Sequence, residues 1–366
     1  MSQRVTRPVC LADYERLAHQ RLDANALAFF AGGAADEITL RWNREAFDNL
    51  ALSPRVLRGG GGAHTRVELF GRDYRHPIFV APMALQKLAH TDGEIATAIA
   101  AEAQNAGMVL SAQASVSLED AAKAGATCRW FQLYIQPTKA ATMQLVRRAE
   151  DAGFEVLVVT ADAPVSGVRT RVHRAGFHLP PGIAAVNLLE LPPIETPALG
   201  PEASVVLDHF VAIAPTWDDI AWLKSQTRLP IVLKGILTAE DTARVLELGL
   251  DGIIVSNHGG RTLDTLPATI DVLPEIAAAV AGRIRCCGRR RATRDGHSQS
   301  LGPRRVRRAH RAPRHIRSRR RRLRSAWRTC CACCAMNSRI AMALTGCRTL
   351  ADIGPHLLRA SARGGA

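Results

Sequence analysis

The chain has 366 residues, of which 47% are hydrophobic and 22% are charged, and its formal net charge is +15. This length allows one large domain or two smaller ones with a substantial buried core. Apolar runs are too short to span a bilayer, and the N-terminal residues MSQRVTRPVC lack the apolar region of a signal peptide. We therefore expect a soluble, cytoplasmic protein rather than a membrane-embedded or secreted one.

The first predicted elements are helices. Apolar residues recur at helical spacing from Leu11 to Ala18, and the string FFAGG at 29–33 is typical of the end of a second helix. We predict that residues 10–58 are helical and amphipathic.

From Pro77 the chain alternates between apolar runs typical of strands and helical segments that end on glycine. The predicted strands are 78–84, 108–112, 129–135, 156–162, 231–236 and 252–255. The predicted helices are 93–107, 118–125, 139–153, 217–227, 239–249 and one that ends near residue 282. This alternation indicates a parallel sheet. Because no GxGxxG turn follows the first strand, it favours a closed barrel over a dinucleotide-binding sheet.

Residues 252–264 read GIIVSNHGGRTLD, an apolar run that ends in polar residues. This pattern predicts a buried parallel strand with its polar groups at the C-terminal end, where the active sites of β/α barrels lie. His258 can exchange a proton near neutral pH, and Arg261 can bind a carboxylate with two hydrogen bonds. Gly259 and Gly260 allow close approach of a flat ligand. The alternative is a turn whose histidine only satisfies a core hydrogen bond.

The string Ser-Asn-His-Gly-Gly-Arg resembles a motif of the FMN-dependent α-hydroxy acid oxidases and dehydrogenases, such as glycolate oxidase, lactate oxidase and mandelate dehydrogenase. The resemblance covers about 14–282 and resumes near residue 340. It implies an α/β fold, a (β/α)8 TIM barrel with N-terminal helices, as a single domain over 1–366. It also implies FMN as cofactor, oxidation of a small L-2-hydroxy acid to a 2-oxo acid, and a homo-oligomer. The electron acceptor could be oxygen, a quinone or a cytochrome.

The resemblance assigns roles to five residues near the substrate. His258 would act as the general base, and Asp162 would accept a hydrogen bond from it and stabilise the imidazolium. Tyr134 would place its phenol on the substrate, while Arg261 and Arg169 would bind the carboxylate. Individually, Tyr134 could instead be a core aromatic residue and Arg169 a surface residue.

Other residues are implied to bind the cofactor. The backbone of Pro82, Met83 and Ala84 would lie along the flavin, and Lys234 would place positive charge near flavin N1 and O2. A solvated loop cation is the alternative for Lys234. The cofactor-binding residues implied in full are Pro82, Met83, Ala84, Ser111, Gln132, Thr160, Lys234 and Ser256. No metal ligand is implied.

Phe29 departs from the family pattern, because the family has an aromatic hydroxyl over the substrate at this position. Without the hydroxyl, either other groups suffice to bind the carboxylate or the preferred substrate differs; alternatively, Phe29 and Phe30 are simply core residues. Gln113 and Met83 are the positions where we expect substrate specificity to be set. Residues 163–215 are too long for an ordinary connection, and we predict a lid-like insertion.

The segment 283–338 does not fit the family. Between Arg283 and Arg328 there are 19 arginines, no lysine and one acid, so the remainder of the chain is mildly acidic. Six of the nine cysteines lie at 286, 287, 330, 331, 333 and 334, and the string CCACC lacks the C-x2-C spacing of zinc sites. Mutual repulsion opposes a compact state, so we expect an aberrant Arg/Cys-rich segment that is disordered and disrupts strands 7 and 8.

Two explanations for this segment remain open. An arginine-rich arm could bind nucleic acid, although aromatic residues for base stacking are absent apart from Trp327, and we expect no specific nucleic acid. A shifted reading frame fits better. Permitted codons for 294–305, read one nucleotide later, can give GTDIAKALALG, which resembles the family's seventh helix, and 311–314 can give GRPV, which resembles its strand 8 phosphate-binding turn. The chain would then bind FMN weakly, fold poorly, or be a nonfunctional fragment.

Overall fold

The computed structural model describes residues 8–192, 200, 202–288 and 314–360. The described chain opens with three helices, α1 (Leu11–Arg21), α2 (Ala24–Ala31) and α3 (Ile38–Asp48). Asp23 caps α2 by accepting a hydrogen bond from the backbone N–H of Ala26 at 2.7 Å. The helical prediction for 10–58 is therefore confirmed as far as Asp48.

Beyond Asp48 that prediction is wrong, because Leu50–Leu52 forms a strand, β1, that pairs antiparallel with residues 358–360 near the other end of the described chain. Sequence periodicity could not predict this pairing, because it reflects only residues that are close together in the chain. A short hairpin of β2 (Val67–Leu69) and β3 (Arg72–Tyr74) follows.

The centre of the molecule is a seven-stranded parallel sheet whose strand order equals the chain order. Its strands are β4 (Phe79–Val80), β5 (Gly107–Ser111), β6 (Cys128–Leu133), β7 (Val156–Thr160), β8 (Ile231–Ile236), β9 (Gly252–Val255) and β10 (Arg285–Gly288). Every residue of β5 and β7 is buried, as expected for strands covered on both faces. The predicted parallel sheet is confirmed, and it brings the C-terminal ends of its strands to one edge.

Helices connect the strands. They are α4 (Gly93–Glu102), α5 (Leu118–Ala124), α6 (Lys139–Asp151), α7 (Thr170–Arg174), α8 (Trp217–Gln226), α9 (Ala239–Glu247), α10 (Thr269–Val280) and α11 (Arg314–Thr345), and the final strand is β11 (Leu358–Ala360). The hydroxyls of Ser117, Thr138 and Thr238 accept hydrogen bonds from backbone N–H groups three residues on, which caps α5, α6 and α9. Gly153 and Gly249 follow α6 and α9 at positive φ, as at many helix ends.

The expectation that no strand forms after residue 283 is corrected by β10. Arg285–Gly288 pairs parallel with Gly252–Val255, and the preceding Ile284 packs against the main hydrophobic core. Strand pairing uses backbone groups, so a strand at the edge of a sheet tolerates the polar composition that argued against it. The predicted disruption of strand 7 is thus not confirmed. Among the described residues no eighth strand joins this sheet, and 289–313 lie outside them.

In the C-terminal part of the Arg/Cys-rich segment, where we expected disorder, the structure has α11, which runs from Arg314 to Thr345. This helix contacts α4 and α1, and Cys331, Ala335 and Met342 are buried. Burial of this apolar stripe stabilises a helix that charge counting alone did not predict. Over the part of the chain that the structure describes, no helix is long and apolar enough to cross a membrane.

Candidate active site

Asp162, Lys234 and His258 meet at the C-terminal edge of the sheet. His258 Nδ1 lies 2.8 Å from Asp162 Oδ1, and Lys234 Nζ lies 3.3 Å from both carboxylate oxygens. Lys234 Nζ is also 3.3 Å from His258 Nδ1. The Asp162 and Lys234 side chains are only 8% and 11% exposed, so the ion pair is nearly buried. The three polar groups come from the ends of β7, β8 and β9, as predicted.

The charges of this cluster follow from its burial and its partners. Burial acts to raise the pKa of Asp162, but the hydrogen bond from His258 and the positive charge of Lys234 outweigh it and lower that pKa. Burial lowers the pKa of His258, and the opposing effect of Asp162 does not restore it. At neutral pH the cluster therefore holds an aspartate anion and a neutral imidazole.

The tautomer of His258 follows from these charges. An ionised Asp162 can only accept hydrogen bonds, so the 2.8 Å contact requires the proton on His258 Nδ1. Nε2 then carries the lone pair and is the atom able to accept a proton. A protonated ring would remain bonded to the carboxylate, which stabilises the imidazolium.

The backbone around His258 is shaped by glycine and by an asparagine pair. His258 itself has φ 55°, and Gly259 and Gly260 follow at 72° and 71°. A Cβ on Gly260 would lie 2.8 Å from the backbone N of Leu40, so only glycine fits against α3.

Asn257 exchanges side-chain hydrogen bonds with Asn43 at 2.8 and 3.0 Å. Sequence reasoning missed Asn43, since nothing local connects it to a residue 214 positions away.

Gly235 was also missed. Its φ is 113°, and the register of β8 against β9 shifts between Lys234 and Ile236. The signal was available, because a glycine inside an apolar strand run indicates a bulge or a close backbone approach.

Tyr134 lies close enough to Asp162, Arg169 and Arg261 for their charges to act on its phenol. Burial and the negative charge of Asp162 raise the pKa of Tyr134 to about 12, although Arg261 and Arg169 act in the opposite direction. The phenol is therefore protonated and can donate a hydrogen bond. Arg261 donates to the carbonyls of Gly32 and Phe29 at 2.6 and 2.8 Å, which fixes one side of its guanidinium.

The residues expected to bind the cofactor line the same edge. Ser111 Oγ donates to Gln132 Oε1 at 3.0 Å, and both side chains are buried together with Thr160 and Ser256. The Nε2 atom of Gln132 is buried and has no hydrogen-bond partner among the described residues. An unpaired buried amide is costly, so an acceptor on a bound ligand would satisfy it. This donor fits the polar rim of a flavin.

The remaining cofactor and specificity positions lie on neighbouring loops. Pro82, Met83 and Ala84 lie in the loop after β4 and are half-buried, with Met83 packed against the main core. The carbonyl of Gln113 accepts from the backbone N–H of Leu85 at 3.1 Å, which ties the loops after β4 and β5 together, while the Gln113 residue is exposed. Among the described residues no group of three or more His, Cys, Asp or Glu side chains is arranged to hold a metal ion.

Comparison with known families decides the assignment. A family model described as FMN-dependent dehydrogenase matches residues 18–287. The chain belongs to the FMN-dependent dehydrogenase family. The match ends four residues after the start of the Arg/Cys-rich segment, where the family resemblance of the sequence also stops.

Individual members of the FMN-dependent dehydrogenase family are similar over most of their length. L-lactate oxidase of Roseobacter sp. (strain GAI101) is 43% identical over 358 residues, which is 96% of this chain and 95% of that protein. 2-Hydroxyacid oxidase 1 of Homo sapiens is 41% identical over 285 residues, 76% of each chain. A crystal structure of mandelate oxidase has a TM-score of 0.78 at 34% identity, covering 97% of this chain and 99% of that one. The predicted α/β barrel class is thereby confirmed.

Proposed function

We propose that this protein oxidises an L-2-hydroxy acid to a 2-oxo acid with FMN as cofactor. The observation that carries the proposal is the 2.8 Å bond between Asp162 and a neutral His258 beside Tyr134 and two arginines. FMN is the cofactor of the family, and the unpaired Nε2 of Gln132 fits it. Relatives named L-lactate oxidase and 2-hydroxyacid oxidase support the substrate class.

Each residue near the substrate has a role that its geometry supports. Arg169 and Arg261 bind the carboxylate, and Tyr134 donates a hydrogen bond to the substrate. The Nε2 atom of His258 takes a proton from the substrate, and Asp162 stabilises the imidazolium that forms. The bound FMN supplies a two-electron acceptor for the oxidised carbon.

Lys234 and the buried polar residues are proposed to bind the cofactor. Lys234 is hydrogen-bonded to Asp162, and we propose that its ammonium would supply positive charge near flavin N1 and O2 when FMN is bound. Ser111, Gln132, Thr160 and Ser256 would hold the polar rim of the ring. The backbone of 82–84 would lie along the flavin.

Residues 163–215 are proposed to form a lid over this site. Its described part packs against the end of α2 and the turn that follows: Val168 accepts a hydrogen bond from the Ala35 N–H at 2.8 Å. Asn25 and His178 exchange two hydrogen bonds, at 2.8 and 3.1 Å. These contacts join the segment, which includes Arg169, to α2 and the turn after it, and they support a role in covering the substrate.

The test is anaerobic reduction of the flavin. Protein loaded with FMN is mixed with L-lactate, D-lactate or L-mandelate, and the visible flavin absorbance is followed. We expect bleaching by an L-acid and formation of the matching 2-oxo acid in equal amount. A flavin that no 2-hydroxy acid bleaches would refute the proposal.

Because the similar proteins named above are oxidases, we propose that dioxygen is the electron acceptor, which a measurement of oxygen consumption tests. We also propose that the protein is a homo-oligomer, which sedimentation tests.

A further inference from the structure

The ring of Phe29 lies beside two cations. The Cζ atom of Arg261 is 5.7 Å from the ring centroid, and the Cζ atom of Arg169 is 5.8 Å from it. Both distances fall within the roughly 6 Å range of cation–π attraction. Arg261 follows β9, Arg169 follows β7, and Phe29 belongs to α2. The contacts of this one ring therefore join three parts of the chain.

Arg169 depends on this ring more than Arg261 does. Burial lowers the pKa of Arg169, so its guanidinium has lost part of its hydration, and no salt bridge to it is found among the described residues. The negative face of an aromatic ring is then a counter-charge for it. Arg261 is additionally held by the carbonyls of Phe29 and Gly32. Substitution of the Phe29 side chain leaves those carbonyls in place.

The ring also packs against two other aromatic side chains. Phe177, in the proposed lid, stacks on Phe29 with centroids 5.0 Å apart and an interplanar angle of 19°. Phe30 meets the same ring edge-on at 5.2 Å and 83°, but neither arginine is stacked on Phe30. Phe29 is therefore stacked on Phe177 while it contacts both cations.

We propose that Phe29 is a positioning residue whose ring holds the guanidinium groups of Arg169 and Arg261 in the geometry that binds a substrate carboxylate. The proposal rests on the proposed function, which assigns the two arginines to the carboxylate. Phe29 makes no hydrogen bond to the substrate. It acts through the two guanidinium groups, and Phe177 couples that action to the lid.

The experiment compares Phe29→Leu with Phe30→Leu in FMN-loaded protein. Leucine keeps an apolar side chain but removes the π face. Two quantities are measured: the Kd of oxalate by calorimetry, which reports carboxylate binding without turnover, and KM and kcat for L-lactate. We expect Phe29→Leu to raise the oxalate Kd and the KM about tenfold, with kcat changed much less, because the attraction of two cations is lost. Phe30→Leu should leave both near wild type.

A series of fluorinated phenylalanines at position 29 separates charge from packing if Phe29→Leu folds poorly. Successive fluorines reduce the negative charge of the ring face with little change in shape, so the oxalate Kd should rise with each one. An oxalate Kd that is independent of fluorination would overturn the proposal. So would equal effects of Phe29→Leu and Phe30→Leu, or an effect on kcat alone. Failure of the proposed function is distinguishable, because oxalate binding can change in protein that oxidises no acid.

Discussion

Gly235 and Asp162 are in direct contact: a Cβ atom built on Gly235 would lie 2.5 Å from the Cβ of Asp162. The glycine follows Lys234, and its φ of 113° is reached by few other residues. The bulge at the end of β8 thus leaves room for the carboxylate that orients His258. A glycine, which has no side chain, is in this way part of the proposed catalytic geometry.

Gly235→Ala is expected to displace Asp162 and lower kcat by roughly 10²-fold or more, because the base loses its orienting partner. Strain at positive φ should also cost about 1–3 kcal/mol of unfolding free energy. Gly249→Ala is the matched control, since Gly249 has φ 64° and no atom within 4 Å of an added Cβ. The control should lose stability and keep kcat. Equal kcat values for Gly235→Ala and wild type would contradict this account.

Asp162→Asn is expected to lower the rate of flavin reduction by roughly 10²- to 10⁴-fold. The amide keeps the size of the side chain but cannot stabilise an imidazolium, and it removes the group that raises the pKa of His258. Rapid mixing under anaerobic conditions measures the rate. A loss of less than about tenfold would show that the 2.8 Å contact is structural only.

The pH dependence of kcat/KM should report His258. The base acts only when neutral, and its pKa lies below the ordinary 6.5 because burial outweighs Asp162, with Lys234 and Arg261 also lowering it. Activity should therefore be retained at neutral pH and be lost as the pH falls through a value below 6.5. Flavin content measured at each pH is the control. An acid limb centred above 7 would contradict the assignment of the base.

Phe29→Tyr is expected to lower KM for short 2-hydroxy acids. The added hydroxyl keeps the π face and can donate to a carboxylate, and a hydrogen bond to a charged group contributes about 1.5–3 kcal/mol. Steady-state kinetics with L-lactate and L-mandelate measure the change. An unchanged KM for every acid would place the 29 side chain out of reach of the substrate.

The affinity for FMN tests whether the Arg/Cys-rich segment weakens cofactor binding. Barrels of this kind bind phosphate with loops after strands 7 and 8, and 289–313 lie outside the described residues. We predict that the Kd of FMN falls when residues 289–338 are replaced by the sequence that the shifted reading frame encodes. Sequencing across codons 280–340 should reveal the shift in reading frame. Equal FMN affinities would favour the arginine-rich arm, whose DNA binding should depend steeply on salt.

Features of the fold that depend on residues close together in the sequence could be predicted, and features that depend on distant residues could not. The bounds of β8 and β9 were predicted to the residue, because a mainly apolar composition marks strands that are buried on both faces. The first strand of the sheet was predicted too long, as 78–84 instead of Phe79–Val80, since apolar composition continues where pairing stops. Pro82 lacks the N–H that a ladder needs.

In the site, the residues at strand ends could be predicted, and their long-range supports could not. His258, Asp162 and Lys234 stand at positions that barrel topology brings together. The Asn43–Asn257 pair and the Phe29–Phe177 stack join distant parts of the chain through side chains alone. Such contacts leave no periodic pattern in a single sequence.

The most direct measurement is anaerobic flavin reduction by L-lactate in His258→Gln loaded with FMN. Glutamine cannot accept the proton, so we expect the variant to bind FMN as wild type does and its flavin to stay oxidised. Reduction at the wild-type rate would show that His258 is not the base, and loss of FMN together with reduction would assign His258 a structural role.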